Sequence, residues 1–151
     1  MLQVALFEPE IPPNTGNIAR LCAATRVPLH IVGATGFRLD DRAVKRAGLD
    51  YWPEVILHRH QDLTSLYSHL ADARFVYLTK KAERSYTAWT FTDSDCLVFG
   101  SETRGLPSEL LEANRLNCLK IPLLNPKVRS LNLATSVAMV LGEALRQTGL
   151  F

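Results

Sequence analysis

Hydrophobic residues occur in short runs that alternate with mixed polar segments along the whole 151-residue chain. Short continuous apolar runs bounded by turn residues are typical of buried strands. Because Gly, Pro and charged residues separate the runs, we predict six short strands instead of one long apolar helix. The predicted strands are Leu2–Phe7, Leu29–Val32, Val55–Leu57, Phe75–Leu78, Cys96–Phe99 and Cys118–Leu123.

The segments between these runs predict helices. Three prolines exclude the segment Glu8–Pro13 from a helix interior, so Asn14 or Thr15 is expected to cap the first helix. Ser130 or Asn132 is expected to open the last helix. This helix has an apolar face at Leu133, Val137, Leu141 and Leu145 and is expected to stop at Gly149. The predicted helices are Gly16–Arg26, Asp40–Ala47, Asp62–Leu70, Ser108–Asn114 and Asn132–Thr148.

Alternating strands and helices predict an α/β fold with a mostly parallel sheet, and we expect residues 1–151 to form one domain. A hydrophobic content of 47% is that of a globular protein, and a net charge of +2 requires any nucleic-acid surface to be local. Three widely spaced cysteines without a secretory leader predict reduced thiols and a cytoplasmic location. No apolar run is long enough to predict a membrane span.

Three polar loops each follow a predicted strand: Pro12–Arg20, Gly100–Pro107 and Ile121–Asn132. The carboxyl ends of parallel strands share one edge of a sheet, so the three loops can form one site there. Each loop also has a simpler interpretation. The first can be a plain helix cap with a solvated arginine, and the second a structural turn. The third can be ordinary helix capping with Lys127 and Arg129 in water. Taken together, the loops favour a polar site at which helix starts attract anions.

Several familiar sites are excluded. The spacing of Gly100 and Gly105 matches a phosphate-binding Walker loop, but Leu106-Pro107 follows where Lys-Ser/Thr is required. No serine hydrolase motif is present. The histidines are interpreted as scattered, and no spacing predicts a metal site; they are His30, His58, His60 and His69.

The loop sequences resemble a known family. Three stretches are similar to the three motifs of the SPOUT-class RNA 2′-O-methyltransferases, most closely the TrmL (YibK) family. They are Pro12-Pro-Asn-Thr-Gly-Asn-Ile-Ala-Arg-Leu-Cys22, Phe99-Gly-Ser-Glu-Thr-Arg-Gly-Leu-Pro107, and Ile121-Pro-Leu together with Arg129-Ser-Leu-Asn-Leu133. The resemblance covers almost the whole chain, including Arg46-Ala-Gly-Leu-Asp-Tyr51. The resemblance implies a SPOUT α/β-knot, which is a mostly parallel sheet with helices on both faces and a C-terminal trefoil knot. It also implies a homodimer.

The resemblance further implies S-adenosylmethionine (SAM) as methyl donor, with S-adenosylhomocysteine as product and no metal. Family members hold SAM largely through backbone groups of the knot loops. Apolar walls suit its flat adenine, and Gly100 would allow close approach of the backbone. The positions carried over are Leu78, Thr79, Gly100, Glu102, Ile121, Leu123, Ser130 and Leu131.

The catalytic residues implied by the resemblance are Arg20 and Asn14. In related enzymes the matching arginine is proposed as a general base, but guanidinium keeps its proton up to a pKa above about 12. A charged Arg20 can instead bind a phosphate and stabilise the forming alkoxide. Asn14 is expected to orient Arg20 or the hydroxyl, and Glu102 to position Arg104 or the amine of SAM. Ser130 and Asn132 are expected to order the third loop.

RNA phosphates are expected to contact basic residues near the loops, although each one taken singly is also consistent with a solvated charge. Tyr86, Trp89 and Phe37 are candidates for stacking on splayed bases, with partial burial as the alternative. The basic candidates are Arg20, Arg26, Lys45, Arg46, Lys80, Lys81, Arg104, Lys127 and Arg129.

The resemblance therefore predicts SAM-dependent 2′-O-methylation of the ribose at the tRNA wobble nucleotide, position 34. Cytidine or a modified uridine is expected there, with leucine tRNA as the substrate and the anticodon stem-loop as the part bound. The alternatives are a ribosomal RNA 2′-O-methyltransferase, a non-catalytic RNA-binding module of the same fold, and an α/β enzyme acting on a small molecule.

Overall fold

A computed structural model describes the backbone of residues 1–151 and the side chains of residues 1–47 and 50–151. Six strands form one sheet in which every neighbouring pair is parallel. Their order across the sheet is β3-β2-β1-β5-β4-β6. The strands are β1 (Gln3–Phe7), β2 (Leu29–Val32), β3 (Leu57–His60), β4 (Arg74–Leu78), β5 (Asp95–Phe99) and β6 (Cys118–Leu119).

Five α-helices connect the strands. Short 3₁₀ helices cover Leu49–Glu54, Tyr86–Ala88 and Arg115–Asn117. In the part of the chain that the structure describes, no helix is long and apolar enough to cross a bilayer. The α-helices are α1 (Pro12–Thr25), α2 (Arg42–Gly48), α3 (Leu63–His69), α4 (Ser108–Ala113) and α5 (Leu133–Gln147).

Both faces of the sheet are covered. Side chains alternate along a strand, so Val4 packs into one core cluster, which includes residues of α1 and α5. Its neighbour Ala5 packs into a second cluster with Leu66 of α3 and Leu111 of α4. The predicted mostly parallel sheet with helices on both faces is therefore confirmed, while the threading of the C-terminal chain stays a prediction.

The start of α1 differs from the prediction. The helix begins at Pro12, and Asn14 and Thr15 lie buried inside its first turns instead of capping it. Proline is tolerated in the first turn because the N–H groups there have no helical partner. The two prolines therefore open the helix that they were expected to precede.

Two strand boundaries were also predicted wrongly. β3 is Leu57–His60 instead of Val55–Leu57, because this edge strand carries polar side chains that give no apolar run. β6 ends at Leu119 instead of Leu123. Pro122 lies in the excess segment, and proline cannot donate to a strand ladder.

The sheet brings the predicted loops together. β1 and β5 are neighbours at the centre, and β4 and β6 follow on the side of β5. All six strands are parallel, so the segments that follow β1, β4, β5 and β6 leave from one edge. After β1 the chain passes to β2 on one side of the sheet, and after β5 it passes to β6 on the other side. The connections therefore diverge between β1 and β5, and open α/β sheets form a ligand crevice at such a point.

Candidate active site

Glu102, in the loop after β5, caps the start of α1. The N-cap residue Ile11 has no side-chain cap of its own. The backbone N–H of Glu10 donates to the Glu102 carboxylate at 2.7 Å, and that of Ile11 donates at 3.0 Å. A carboxylate is the best partner for the partial positive charge at a helix start. One residue of the second loop thus fixes the first loop.

Asn14 links this cap to the third loop. Its side-chain amide donates to Glu102 at 3.4 Å, and its carbonyl accepts from the Asn132 amide at 2.9 Å. The Asn132 carbonyl in turn accepts from the N–H of Ala134 at 2.8 Å, which caps α5. We call Glu102, Asn14 and Asn132 the loop network. Asn132 was expected to order the third loop, and the structure places it to do so.

The observed contacts of Asn14 and Glu102 differ from the roles expected from the sequence. Asn14 is buried, and among the described residues no hydrogen bond joins it to Arg20. Glu102 binds the start of α1 and not Arg104. Both residues therefore hold the loops together, while a direct part in the reaction stays a prediction.

Arg104 is held by two carboxylates that follow β1. Its guanidinium lies 3.3 Å from Glu8 and 3.8 Å from Glu10. Hydrogen bonds from Thr103 and Ser101, with Arg104 nearby, lower the pKa of the Glu10 carboxyl. The pairs bridge the first and second loops a second time. An RNA contact by Arg104 has to compete with them.

Gly100 serves the loop itself. A Cβ built at Gly100 would lie 2.2 Å from the carbonyl carbon of Gly105 and 2.4 Å from the nitrogen of Leu106. The loop folds back on itself with a bridge between Ser101 and Gly105. Gly100 therefore allows the loop to pack against itself, and any larger residue would open it, while the close approach of its backbone to SAM stays a prediction.

The predicted SAM positions lie along the same edge. Leu78 ends β4 and Thr79 follows it, while Ile121 and Leu123 follow β6; all four are half-buried. Within the described chain, the N–H groups of Ile121, Leu123, Ser130 and Leu131 donate to no protein acceptor. Half-buried apolar side chains beside free N–H donors suit a flat, neutral ring such as adenine. The residues present therefore fit the adenosine part of SAM.

Arg20 projects from α1 into solvent. Its guanidinium carbon lies 4.9 Å from the centre of the Tyr51 ring. Among the described residues, its guanidinium takes part in no ion pair. Tyr51 belongs to the 3₁₀ helix Leu49–Glu54 and was not among the predicted site residues. The family resemblance extends over Arg46–Tyr51, and that was the signal that could have marked it.

The other basic candidates fall into three places. Lys80 and Lys81 follow β4 and Lys127 and Arg129 follow β6, all exposed at the carboxyl edge. Lys81 lines a cavity of about 480 Å³ together with Arg84 and Arg115. Lys45 and Arg46 lie on α2, which packs along α1. Arg26 is the C-cap of α1, about 9 Å further along the helix axis than Arg20, and does not join the loops.

The aromatic candidates belong to the core. Trp89 is 9% exposed within the main apolar cluster, and Phe37 and Tyr86 pack against that cluster. The alternative of partial burial is therefore correct for all three. Tyr51, which is 43% exposed, offers a freer ring.

The four histidines are not scattered, because β2, β3 and α3 gather them. His30 is fully buried, with Nδ1 2.9 Å from Nε2 of His60 and Nε2 2.8 Å from Oε1 of Gln3. The rings of His58 and His69 lie 4.9 Å and 5.7 Å from that of His30. We call these four residues the histidine cluster. No group of three or more His, Cys, Asp or Glu side chains in the described chain has the arrangement of a metal site.

Burial, followed by the charges of the neighbouring imidazoles, lowers the pKa of His30 to about 3. The pKa of His60 is lowered by the same causes. The buried imidazole is thus neutral at physiological pH. It donates through Nε2 to Gln3 and accepts at Nδ1, which is the tautomer that satisfies both contacts.

Comparison with known proteins decides the family. The model of the SpoU rRNA methylase family matches residues 1–142. This chain belongs to the SpoU methylase family. The match confirms the resemblance that the three motifs carry.

Relatives of this SpoU methylase cover almost its whole length. The tRNA (cytidine(34)-2′-O)-methyltransferase of Escherichia coli K12 is 45% identical over 150 residues, which are 99% of this chain and 95% of that protein. A solved structure from work on 2-OH methylation of C/U34 on tRNA is 45% identical, with a TM-score of 0.92, and the match covers 97% of this chain and 95% of that one.

A more distant structure shows the methyl donor in the same fold. The AdoMet-bound rRNA methyltransferase of Sinorhizobium meliloti is 25% identical to this SpoU methylase, with a TM-score of 0.85. The match covers 96% of this chain and 56% of that protein. The fold of this chain is therefore also that of a protein that binds AdoMet.

Proposed function

We propose that this chain is a SAM-dependent methyltransferase that modifies the ribose 2′-oxygen of the wobble nucleotide of tRNA, position 34, with cytidine or a modified uridine there. The loop network carries the proposal, because it joins at one sheet edge the three motif loops, of which the first contains Arg20. The substrate is supported by relatives named for activity at this nucleotide and 45% identical to this chain.

The chain has to align two reactants. SAM supplies a methyl group that its sulfonium centre already activates. The ribose oxygen must lie in line with that methyl, so that the oxygen–methyl bond forms as the sulfur–methyl bond breaks and S-adenosylhomocysteine leaves. Charge must be stabilised on the oxygen as its proton passes to solvent water. Arg20 keeps its proton, so its N–H donors bind the neighbouring phosphate and the developing oxygen charge.

The third loop and the end of β4 bind SAM in this proposal. Leu78, Ile121 and Leu131 would form apolar walls for the adenine, and the free N–H groups of Ile121 and Leu123 would be available as hydrogen-bond donors to it. Asn132 caps α5 and thereby holds the segment that contains Ser130 and Leu131. Glu102 acts on SAM indirectly, because its carboxylate is engaged by the start of α1.

The RNA partner is the anticodon stem-loop. Position 34 lies in a single-stranded loop, whose bases can be splayed and whose phosphates attract lysine and arginine. Exposed Lys81, Lys127 and Arg129 lie at the carboxyl edge, and Arg46 lies on α2 beside α1. A tRNA substrate implies a cytoplasmic enzyme.

We also propose a homodimer built around α5. This helix buries Val137 and Leu141, yet it leaves Met139 40% exposed. A self-complementary patch on one helix suits a twofold interface. Light scattering of the purified protein should give twice the chain mass of 16.9 kDa; the chain mass itself would contradict the dimer.

The function is tested by incubating the protein with methyl-labelled SAM and either bulk tRNA or ribosomal RNA, and then mapping the label. We expect a 2′-O-methyl group on nucleotide 34 of tRNA. Label on ribosomal RNA alone, or at another tRNA position, would contradict the assignment. SAM binding without transfer to any RNA would instead support the non-catalytic RNA-binding module.

A further inference from the structure

The contact between Arg20 and Tyr51 is made by the face of an aromatic ring. The guanidinium carbon lies 4.9 Å from the ring centre, within the range of a cation–π interaction. Both side chains are exposed, with 43% of the tyrosine accessible. The pair therefore lies on the surface, where a large substrate can reach the guanidinium.

Close packing of two helices brings the tyrosine to this place. A Cβ built at Gly16 of α1 would lie 2.4 Å from the carbonyl oxygen of Val44 and 2.6 Å from the Cβ of Ala47, both on α2. Since α2 runs directly into the 3₁₀ helix Leu49–Glu54, the glycine sets the position of Tyr51 relative to α1. The motif residues Gly16 and Arg20 and the segment Arg46–Tyr51 thus act as one arrangement.

An arginine paired with an aromatic ring differs from an arginine paired with a carboxylate. Arg104 is paired with Glu8 and Glu10, and Arg146 is hydrogen-bonded to Glu143, so these carboxylates occupy N–H donors and offset the charge. The face of Tyr51 attracts the Arg20 cation and leaves its five N–H donors free. An arginine that must bind a phosphate and a developing oxygen charge needs those donors open.

We propose that Tyr51 is a positioning residue for Arg20. Its ring selects one orientation of a long side chain that would otherwise sample many rotamers. The guanidinium is thereby in place when the ribose oxygen and the sulfonium methyl come into line. This inference rests on the proposed methyl transfer, in which Arg20 stabilises charge in the transition state.

Two variants separate the ring from the hydroxyl. Tyr51→Phe keeps the ring face and should retain kcat, whereas Tyr51→Leu should lower kcat about three- to tenfold, the range of a partly exposed cation–π contact. The KM for tRNA and the affinity for SAM should stay near the wild-type values in both variants. A raised KM with unchanged kcat in Tyr51→Leu would show that the ring binds a base, and equal losses in both variants would show that the hydroxyl matters. Either result overturns the inference.

A double-mutant cycle tests whether the ring acts through Arg20. In an Arg20→Ala background, adding Tyr51→Leu should not lower the remaining activity further, because the cation is already gone. An undiminished loss in that background would place the action of Tyr51 elsewhere and refute the inference. Equal melting temperatures of the variants confirm that each one is folded.

A measurement without activity separates this inference from the proposed function. Nuclear magnetic resonance relaxation of the Arg20 Nε–H group should show an ordered side chain in the wild type and in Tyr51→Phe, and a mobile one in Tyr51→Leu. If the ring orders Arg20 but the protein methylates no RNA, the proposed function fails while the contact stands. If Arg20 is equally mobile in all three proteins, the inference fails even where methyl transfer is found.

Discussion

Two regions of this molecule gather polar side chains on the same parallel sheet, the loop network beyond β1 and β5 and the histidine cluster beside β2 and β3. The loop network joins residues that are 88 and 118 positions apart, and the basic residues near it remain exposed. In the histidine cluster, by contrast, the buried His30 directs both ring nitrogens at neighbouring side chains.

Because of this difference, the loop network can bind a ligand, whereas the histidine cluster can respond to pH. Exposed cations and free N–H groups beside the loop network can meet an anionic or hydrogen-bonding ligand. The buried imidazole of His30 has both nitrogens hydrogen-bonded to neighbouring side chains, so no nitrogen is open to a ligand. What can change its state is protonation. We therefore expect activity to depend on the first region and acid stability on the second.

The largest effect is expected from Arg20→Lys. Lysine keeps the charge but loses the planar fork of donors, so methyl transfer should fall by about a hundredfold, the cost of losing a charge-stabilising donor. SAM affinity, measured by calorimetry on the same sample, should persist. The matched control is Arg38→Lys, which changes an exposed arginine paired with Asp40 and should leave turnover intact. Near-normal turnover of Arg20→Lys would exclude this part for Arg20.

The next effect is the acid sensitivity of the histidine cluster. Above about pH 6.5 His30 is neutral in both states; below it the unfolded chain binds a proton that the folded state refuses down to about pH 3. The free energy of unfolding should therefore fall by about 1.4 kcal/mol per pH unit for this histidine. Urea unfolding between about pH 6.5 and 4.5 measures the slope before carboxyl groups of ordinary pKa titrate.

The control for this slope is His30→Phe, which keeps a ring of similar size. Its stability should depend less on pH over the same range, by about the contribution of one proton. An equal slope in the two proteins would show that His30 is not the group that titrates. Activity at pH 7 should survive this substitution, because the histidine cluster lies outside the loop network.

A smaller effect is expected from Glu102→Ala. The change leaves the N–H groups of Glu10 and Ile11 without their acceptor, so the free energy of unfolding should fall by about 1 to 2 kcal/mol, as on loss of a helix cap. SAM affinity should fall as well, because the second loop loses its bonds to the start of α1 and Asn14 loses one of its two side-chain partners. Glu112→Ala, at an exposed position of α4, should stay within about 0.5 kcal/mol of the wild type. If the two variants are equally stable, Glu102 does not cap α1 in solution.

The smallest effect is expected from Arg104→Gln. Its side chain is 66% exposed, and exposed ion pairs contribute little, so the free energy of unfolding should change by less than about 1 kcal/mol. The affinity of Arg104→Gln for tRNA distinguishes two possible roles of Arg104, an RNA contact and a structural link. A salt-dependent loss of affinity would identify an RNA contact, whereas an unchanged affinity would leave it as a link to Glu8 and Glu10.

Local patterns predicted much of the fold. Apolar runs located β2 at its observed bounds and β1, β4 and β5 to within a residue. Asn132 was found as the start of the last helix because a side-chain cap acts within three residues. β3 was misplaced because an edge strand rich in polar residues carries little apolar signal. β6 was predicted too long because Ile121 and Leu123, on either side of Pro122, continue the apolar pattern of the strand.

The candidate site was only partly predictable. The three motif loops were named correctly, since strand ends and the family resemblance both mark them. The partners of Glu102, Asn14 and Arg104 were not found, and neither was the ring beside Arg20. These contacts join residues from separate elements, so no helical or strand period records them.

By itself, the amino-acid sequence determined the alternating α/β pattern, the three loops and the family, because hydrophobic period, capping and motif spacing are local properties of the chain. Only the tertiary structure decided which polar atoms meet. The loop network, the Tyr51 ring over Arg20 and the burial of His30 all depend on strand order and helix packing. Strand order and helix packing bring distant residues within hydrogen-bond or ring-contact distance. They bury His30 as a neutral imidazole and leave the Arg20 guanidinium exposed against a ring.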